Sequence, residues 1–244
     1  MLRLLCLETA TDQGAFALWS GDVAVSEVRT QCCQSFNCPA GQPHAETLLP
    51  AVRHALDTLG WSLETIDAIV FDAGPGMFTG LRVSAALAQG LAVALDKPVI
   101  PVSSLEILAE TTHAAMGATT VLSLLDARMN QIYAAAWSRE GIHWHADLAP
   151  CLVGPEHLDD LPALNKLYVA AGTGIHEYPA ASAWLIKHGF VDSAVRYPSA
   201  AALARLGAVR FASGILTDPA DAIPVYIRDR VALTTAERAA GESL

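Results

Sequence analysis

The sequence predicts an α/β fold of two similar halves, each with a mostly buried mixed sheet flanked by helices. Two observations lead to this prediction. Apolar strands and amphipathic helices alternate along the chain, and part of the first half recurs in the second. Residues 4–19 align with residues 122–137 at one constant offset. Each copy is an apolar strand, a carboxylate, a polar turn and a second strand, which is the pattern of a β-hairpin.

Matches at and after the turns, rather than the leucines of the strands, support this repeat. The offset aligns Glu8 with Asp126, Gln13 with Gln131 and Trp19 with Trp137. A second pair of segments, 68–76 and 167–174, each predicts a strand followed by a glycine turn. We therefore expect an N-terminal half over 1–105, a C-terminal half over 106–230 and a flexible polar tail over 231–244.

Two helices are predicted in the N-terminal half. Between residues 44 and 59 apolar side chains recur at helical spacing, and Gly60 ends the pattern. The segment 81–95 carries apolar or small residues on every side, apart from Arg82 and Gln89. Because a helix that is apolar all round is buried all round, we expect this second helix to contact both the sheet and a partner molecule.

A glycine-rich turn joins a predicted buried strand over 66–71 to the helix over 81–95. Gly74, Gly76 and Gly80 leave several backbone N–H groups aimed at one point, as in sites that bind phosphate. The spacing lacks the lysine of a P-loop and differs by one residue from the dinucleotide-binding fingerprint. Two interpretations stay open: an anion site, and a tight junction that needs glycine for its dihedral angles.

The charge balance argues against direct binding of nucleic acid. The chain has 15 Lys+Arg against 25 Asp+Glu, a net charge of -10, and no basic cluster that would neutralise phosphates. An acidic chain suits a basic protein partner. No run of about 18 apolar residues is free of charges or turn signals, and Glu8 interrupts the apolar N-terminus. We therefore expect a cytoplasmic protein without membrane contact or secretion signal.

The histidines and cysteines do not predict a metal site. His44 and His54 are too far apart along a helix to share one ion, and the group Cys32, Cys33 and Cys38 lacks a usual zinc spacing. Disulfides are not the default for five cysteines in a cytoplasmic chain. We expect neither a metal nor a cofactor.

Several motifs together resemble the TsaB (YeaZ) family of bacterial proteins of tRNA threonylcarbamoyladenosine biosynthesis. They are the run Gly-Pro-Gly-Met-Phe-Thr-Gly-Leu-Arg at 74–82, the opening 5–9, the segment 44–50, the hairpin 125–133, the turn 172–174 and the late segment 224–228. The resemblance extends from residue 1 to about 230. It implies an actin-like ATPase fold, as in sugar kinases and heat-shock protein 70, with two RNase H-like halves. Met77 departs from the serine usual in the family.

The same resemblance implies a non-catalytic subunit. Its partners would be TsaE and the transferase TsaD, which modifies N6 of adenosine 37 in tRNAs reading codons that begin with A. The chain would meet tRNA only through this complex, and alone it would form a homodimer by the same surface. The expected partner-binding residues lie on the two predicted helices: His44, Leu48, Leu49, Val52, Leu56, Arg82, Ala85, Ala88, Gln89 and Ala92.

A vestigial nucleotide site is a further expectation from the resemblance. Glu8 occupies the position where actin-like ATPases use an acid for a metal-bound phosphate, and we expect it to face Asp126 across the cleft between the halves. The site would comprise Glu8, Gly74, Gly76, Thr79, Gly80 and Asp126. The alternative function is therefore an ATPase or a nucleotide-binding acyl or phosphoryl transferase. A glycoprotease is set aside, since the chain has no His-Glu-x-x-His motif.

Overall fold

Two five-stranded sheets form the frame of the molecule. The computed structural model describes residues 1–24, 26–38 and 42–228. The N-terminal sheet has the order β3-β2-β1-β4-β5 and contains β1 (Leu2–Glu8), β2 (Ala15–Ala24), β3 (Glu27–Asn37), β4 (Ala68–Gly74) and β5 (Val99–Ser103). The C-terminal sheet has the order β10-β9-β6-β7-β8 and contains β6 (Thr120–Asp126), β7 (Ile132–Glu140), β8 (His143–Val153), β9 (Val169–Ala171) and β10 (Val191–Asp192). The α-helices are α1 (His44–Leu59), α2 (Phe78–Leu95), α3 (Ser104–Met116), α4 (Gly174–Glu177), α5 (Pro179–His188) and α6 (Ala200–Ala212).

The two sheets share one topology, which confirms the predicted α/β fold of two similar halves. In the N-terminal sheet β1 pairs antiparallel with β2 and parallel with β4. In the C-terminal sheet β6 pairs antiparallel with β7 and parallel with β9. The central strands are apolar on both faces because helices cover both sides of each sheet.

The two hairpins differ at their turns. The turn between β1 and β2 spans residues 9–14, and the turn between β6 and β7 spans 127–131, which is one residue shorter. Because side chains alternate between the two faces of a strand, a shift of one residue reverses the face. Leu7 packs with α1 and α2, whereas the aligned Leu125 packs with α3. The constant offset in the sequence therefore preserves the side-chain faces of β2 in β7, where Trp19 and Trp137 both point to the inner helices, but reverses the faces of β1 in β6.

The helices form an outer layer on each sheet and a shared layer between the sheets. α1 and α2 cover one face of the N-terminal sheet, and α4 and α5 cover the outer face of the C-terminal sheet. α3 and α6 lie between the sheets and pack against each other. The ion pairs Glu110–Arg205 and Glu106–Arg210 join these two inner helices.

A boundary at residue 105 separates the two sheets but not their helices. α6 follows the C-terminal sheet in sequence, yet it packs on β1 and β2 of the N-terminal sheet. The prediction of a C-terminal half over 106–230 therefore places α6 with the wrong sheet, because an apolar helix face does not record which sheet receives it. The predicted flexible tail over 231–244 lies outside the described residues.

α2 is longer than the sequence predicted, because its first turn begins at Phe78 rather than at Leu81. By length and composition alone α2 resembles a membrane span, with a mean hydropathy of 1.4 over 18 residues. One face of α2 packs on β4 through Leu81, Ala85 and Ala88. Only 33% of the residues of α2 are buried inside the molecule. The face of α2 that points away from β4 is exposed.

Candidate partner-binding groove and cleft

A groove lies between the exposed faces of α1 and α2. Its volume is about 390 Å³. Apolar side chains form most of its lining, with one imidazole and one guanidinium: His44, Ala45, Leu48, Leu49, Arg82, Val83, Ala86 and Leu87. A concave, mostly apolar surface with small residues is the kind of surface into which another helix packs closely. We call this surface the α1–α2 groove.

Arg82 is held in place by two aromatic side chains at the end of the α1–α2 groove. Its guanidinium carbon lies 3.9 Å from the centroid of the Phe78 ring, and its Nε donates a hydrogen bond to the Tyr226 hydroxyl at 3.3 Å. The rings of Phe78 and Tyr226 lie 5.4 Å apart. These cation–π and hydrogen-bond contacts fix the direction of a charged side chain that is otherwise exposed.

The glycine-rich turn packs tightly against the turn that follows β1. A Cβ on Gly80 would lie 1.8 Å from the Thr9 carbonyl oxygen, and a Cβ on Gly76 would lie 2.4 Å from the Ala10 carbonyl oxygen. The N–H of Met77 donates to that Ala10 oxygen at 2.7 Å. Backbone carbonyls of the chain itself therefore occupy the space in front of the turn, which favours the tight-junction interpretation over an anion site.

Glu8 and Asp72 form a buried carboxyl pair beneath the glycine-rich turn. Both side chains are 0% exposed. Glu8 accepts a hydrogen bond from the N–H of Ala10 at 3.0 Å, and Asp72 accepts from the N–H of Gly74 at 2.8 Å and from the Ser104 hydroxyl. The second oxygen of each carboxyl, Glu8 Oε2 and Asp72 Oδ2, is buried without a hydrogen-bond partner.

A shared proton accounts for the arrangement of this pair. Burial raises the pKa of Asp72 to about 7. Burial, followed by the nearby charge of Asp72, raises the pKa of Glu8 well above its usual value. Two adjacent buried carboxylates repel each other, and each loses its hydration. The pair therefore keeps a proton near neutral pH, and this role is internal to the fold.

A cleft of about 250 Å³ lies between the two halves. Both hairpin turns, the glycine-rich turn and the start of α4 line it: Ala10, Thr11, Asp12, Gly76, Met77, Leu125, Asp126, Ala127, Arg128, Tyr133, Thr173, Glu177 and Tyr197. Asp126 accepts a hydrogen bond from the Tyr178 hydroxyl at 2.7 Å and forms an ion pair with Arg128 at 3.0 Å. The Asp126 carboxylate is thus neutralised by neighbours within its own half.

The chain is similar to known proteins over most of its length. The family model described as "TsaD: tRNA N6-adenosine threonylcarbamoyltransferase" matches residues 39–235. The tRNA threonylcarbamoyladenosine biosynthesis protein TsaB of Escherichia coli (strain K12) is 34% identical over 236 residues, which are 95% of this chain and 96% of that protein. The TsaB of Haemophilus influenzae is 30% identical over 94% of this chain and 95% of its own length. The chain belongs to the TsaB (YeaZ) family.

A solved structure agrees with this family assignment. YeaZ from Pseudomonas aeruginosa superposes with a TM-score of 0.76 at 31% identity, over 93% of this chain and 100% of that one. The actin-like fold with two RNase H-like halves, which the resemblance implied, is thereby confirmed together with the family.

Within this TsaB-family chain, most of the predicted partner-binding residues pack inside the molecule rather than on the surface of the α1–α2 groove. Those buried on the sheet side of their helices are Leu48, Val52, Leu56, Ala85, Ala88 and Ala92. The Gln89 side chain donates to the carbonyl oxygens of Pro219 and Ala220. Only His44, Leu49 and Arg82 keep substantial exposure in the α1–α2 groove, with Leu48 at its floor. Most of the predicted residues are buried because the strongest apolar stripe of a helix faces its own core. The role of the exposed ones in partner binding stays a prediction.

Four residues of the α1–α2 groove were not predicted from the sequence. Ala45, Val83, Ala86 and Leu87 line it but lie beside the main apolar stripes. Their signal in the sequence was the apolar character of α2 outside the stripe that its own sheet covers. That signal indicated a second contact surface without identifying which side chains form it.

The predicted nucleotide site is not assembled as expected. Gly76 and Asp126 line the cleft, whereas Glu8 does not line it and lies buried beside Asp72. Gly74 and Gly80 are buried in the junction, and Thr79 is exposed on the first turn of α2. The prediction that Glu8 faces Asp126 across the cleft is therefore wrong. The cause is the one-residue difference between the hairpin turns, which places equivalent strand ends on opposite faces.

In the described part of the chain, no group of three or more His, Cys, Asp or Glu side chains is arranged to hold a metal ion. The cysteines are free, and Cys32, Cys33 and Cys38 lie on or just after the edge strand β3. Burial raises the pKa of Cys33 and of Cys38. Raised pKa values keep these side chains as thiols rather than as reactive thiolates near neutral pH.

Proposed function

We propose that the chain is a non-catalytic subunit that binds and activates a TsaD-type transferase, together with TsaE, for threonylcarbamoylation of N6 of adenosine 37 in tRNA. The observation that supports this proposal is the α1–α2 groove, an apolar surface that the described part of the chain leaves uncovered. Large exposed apolar surfaces on soluble proteins are typical of protein interfaces. The family membership supplies the identity of the partner.

The geometry of the cleft supports a scaffold over an ATPase. A transferase or ATPase of the alternative kind needs a carboxylate free to hold a metal-bound phosphate at the end of β1. The Glu8 carboxyl is instead buried beside that of Asp72, and backbone carbonyls fill the space before the glycine-rich turn. On this proposal tRNA contacts lie in the partner, since the chain has a net charge of -10. The protein works where tRNA is modified, in the cytoplasm.

A reconstituted modification assay tests the proposal. Purified TsaD and TsaE from the same source are supplied with tRNA and threonylcarbamoyl-adenylate, with and without this chain. Ala86 is exposed in the α1–α2 groove, so Ala86→Arg should abolish both TsaD binding and activation through a steric and charge clash. Ala183 is exposed on α5, away from the groove, so Ala183→Arg serves as the matched control and should behave like the wild type.

Two outcomes would contradict the scaffold. If modification proceeds equally well without the chain, it is not an activating subunit. If the isolated chain binds magnesium nucleotide by calorimetry, and a cleft variant such as Arg128→Met loses both that binding and tRNA modification while TsaD still binds, the chain contributes chemistry and the non-catalytic assignment is wrong.

A further inference from the structure

Arg82 is the charged side chain that lines the α1–α2 groove. The titratable lining residues of the groove are His44 and Arg82, and no carboxylate lines it. Arg82 makes no ion pair with any described residue; its contacts are the Phe78 ring and the Tyr226 hydroxyl. In a chain with ten more acidic than basic residues, an exposed cation without a carboxylate partner in an apolar groove calls for a physical explanation.

Covering the groove with a purely apolar surface would be unfavourable. An occupant that packs against Leu49, Val83 and Ala86 also removes water from Arg82 at the same site. Burying a guanidinium without an acceptor carries a large desolvation penalty. A carboxylate on the occupant removes most of that penalty, because arginine presents several donors that match a carboxylate and because the pair is attractive at low local dielectric. Phe78 and Tyr226 hold Arg82 ready for such an acceptor.

A second copy of the same chain does not supply this acceptor from its own groove. A symmetric homodimer is isologous, so each groove meets an identical groove. Such a pairing brings two Arg82 side chains and two His44 side chains together, and neither groove contributes a carboxylate. A different protein is free of this symmetry and can place an acidic residue opposite Arg82.

We propose that the α1–α2 groove is selective for a foreign α-helix whose small and apolar face carries one Asp or Glu opposite Arg82, and that Arg82 disfavours pairing of the groove with itself. This inference rests on the proposed function, in which the foreign helix belongs to the TsaD-type partner. Arg82 is then a specificity residue as well as a contact residue: it strengthens the heterodimer and weakens the homodimer.

Two binding measurements on the full chain test this proposal. Sedimentation equilibrium gives the homodimer Kd, and calorimetry gives the Kd for TsaD. Arg82→Met keeps the length of the side chain but removes its charge. We expect it to weaken TsaD binding about tenfold and to strengthen self-association about tenfold, as for the gain or loss of a single desolvated charge contact. Arg82→Lys keeps the charge and should retain most of the TsaD affinity.

The control is Arg53→Met, which removes an exposed cation of α1 that does not line the α1–α2 groove. Both of its dissociation constants should stay within about twofold of the wild type. Salt provides a second readout on the wild type. Raising the salt concentration should weaken TsaD binding, because it screens an attraction, and strengthen self-association, because it screens a repulsion.

The results that overturn the proposal are distinct from a failure of the proposed function. If Arg82→Met weakens self-association and TsaD binding alike, a second copy supplies the carboxylate, for which exposed Glu46 of α1 is the nearest candidate in sequence. If neither Kd changes by more than about twofold, Arg82 has no selective role. If the wild type does not bind TsaD at all, the proposed function fails, and the self-association measurement alone decides whether Arg82 opposes pairing of the groove with itself.

Discussion

At the scale of single residues, the carboxyl pair of Glu8 and Asp72 shows how burial changes the role of an acid. Glu8 ends β1, and Asp72 lies near the end of the adjacent parallel strand β4. Sequence position alone indicates a catalytic acid at Glu8, because strand ends are where α/β proteins place their polar site residues. In the structure the Glu8 carboxyl is instead buried beside Asp72 and accepts a hydrogen bond from the N–H of Ala10. The proton that the pair shares makes the stability of the fold depend on pH.

Because of this carboxyl pair, the free energy of unfolding should fall as pH rises from about 4 to above 7. The pKa of Asp72 is raised to about 7 in the folded chain, while an unfolded Asp releases its proton near pH 4. Between these values the folded chain binds more protons than the unfolded chain. The free energy of unfolding therefore decreases with pH, by at most about 1.4 kcal/mol per pH unit for one proton.

Glu8→Gln tests the contribution of the Glu8–Asp72 pair to the pH dependence of stability. The glutamine amide donates a hydrogen bond to the Asp72 carboxylate without a shared proton, so the free energy of unfolding should fall less steeply with pH than in the wild type. Urea unfolding at pH 5 and pH 8 measures the difference, with Glu46→Gln on the exposed face of α1 as the control. Parallel pH profiles for the wild type and Glu8→Gln would show that the pair carries no shared proton.

At the scale of elements, α2 carries two glycines with opposite structural roles. Gly80 lies in the first turn, where a Cβ would be 1.8 Å from the Thr9 carbonyl oxygen. Gly90 lies in the exposed middle of the same helix, and beyond its own stretch of helix backbone no atom of the described residues lies within 4 Å of the position of its Cβ. Gly80 is required by the close approach of two backbones. Gly90 weakens the helix, and no packing contact requires a glycine there.

The same substitution should therefore change stability in opposite directions at the two positions. Gly80→Ala should lower the free energy of unfolding by about 3 kcal/mol, because the Thr9 backbone must move to admit the methyl group. Gly90→Ala should raise it by about 0.5–1 kcal/mol through helix propensity alone. Denaturant unfolding of both variants measures these shifts. A stable, wild-type-like Gly80→Ala would show that the junction is not tightly packed.

The helices also show how far local sequence reasoning extends. Periodicity and Gly60 correctly predicted α1 from 44 to 59, because Gly60 ends the helix in a left-handed conformation with φ 64°. The start of α2 was placed three residues too late, because Phe78 and Thr79 do not belong to the apolar stripe. Half of the residues that line the groove were missed, since a periodic pattern gives the directions of the stripes but not which stripe meets the sheet and which meets a partner.

At the scale of the whole molecule, the two halves are interlocked through α3 and α6. α3 packs mainly on the C-terminal sheet, and α6, which comes later in the chain, packs on the N-terminal sheet. The repeat in the sequence predicted two sheets of equal topology, since each sheet forms from a contiguous stretch of chain. It did not predict this crossing of helices, because the crossing depends on contacts between residues that are distant in sequence, such as Glu110 with Arg205.

Cutting the chain at the apparent boundary should consequently not release a folded N-terminal half. A fragment of residues 1–105 lacks α6, so it exposes the apolar face of its sheet, which includes Leu4, Trp19 and Val70. Those side chains are fully buried in the intact molecule, and their exposure removes a large part of the hydrophobic stabilisation. We expect this fragment alone to unfold without a cooperative transition in circular dichroism, and to regain one when mixed with the fragment 106–244. A cooperative transition from 1–105 alone would mean that α6 is dispensable for the N-terminal sheet, and the halves would then be independent domains.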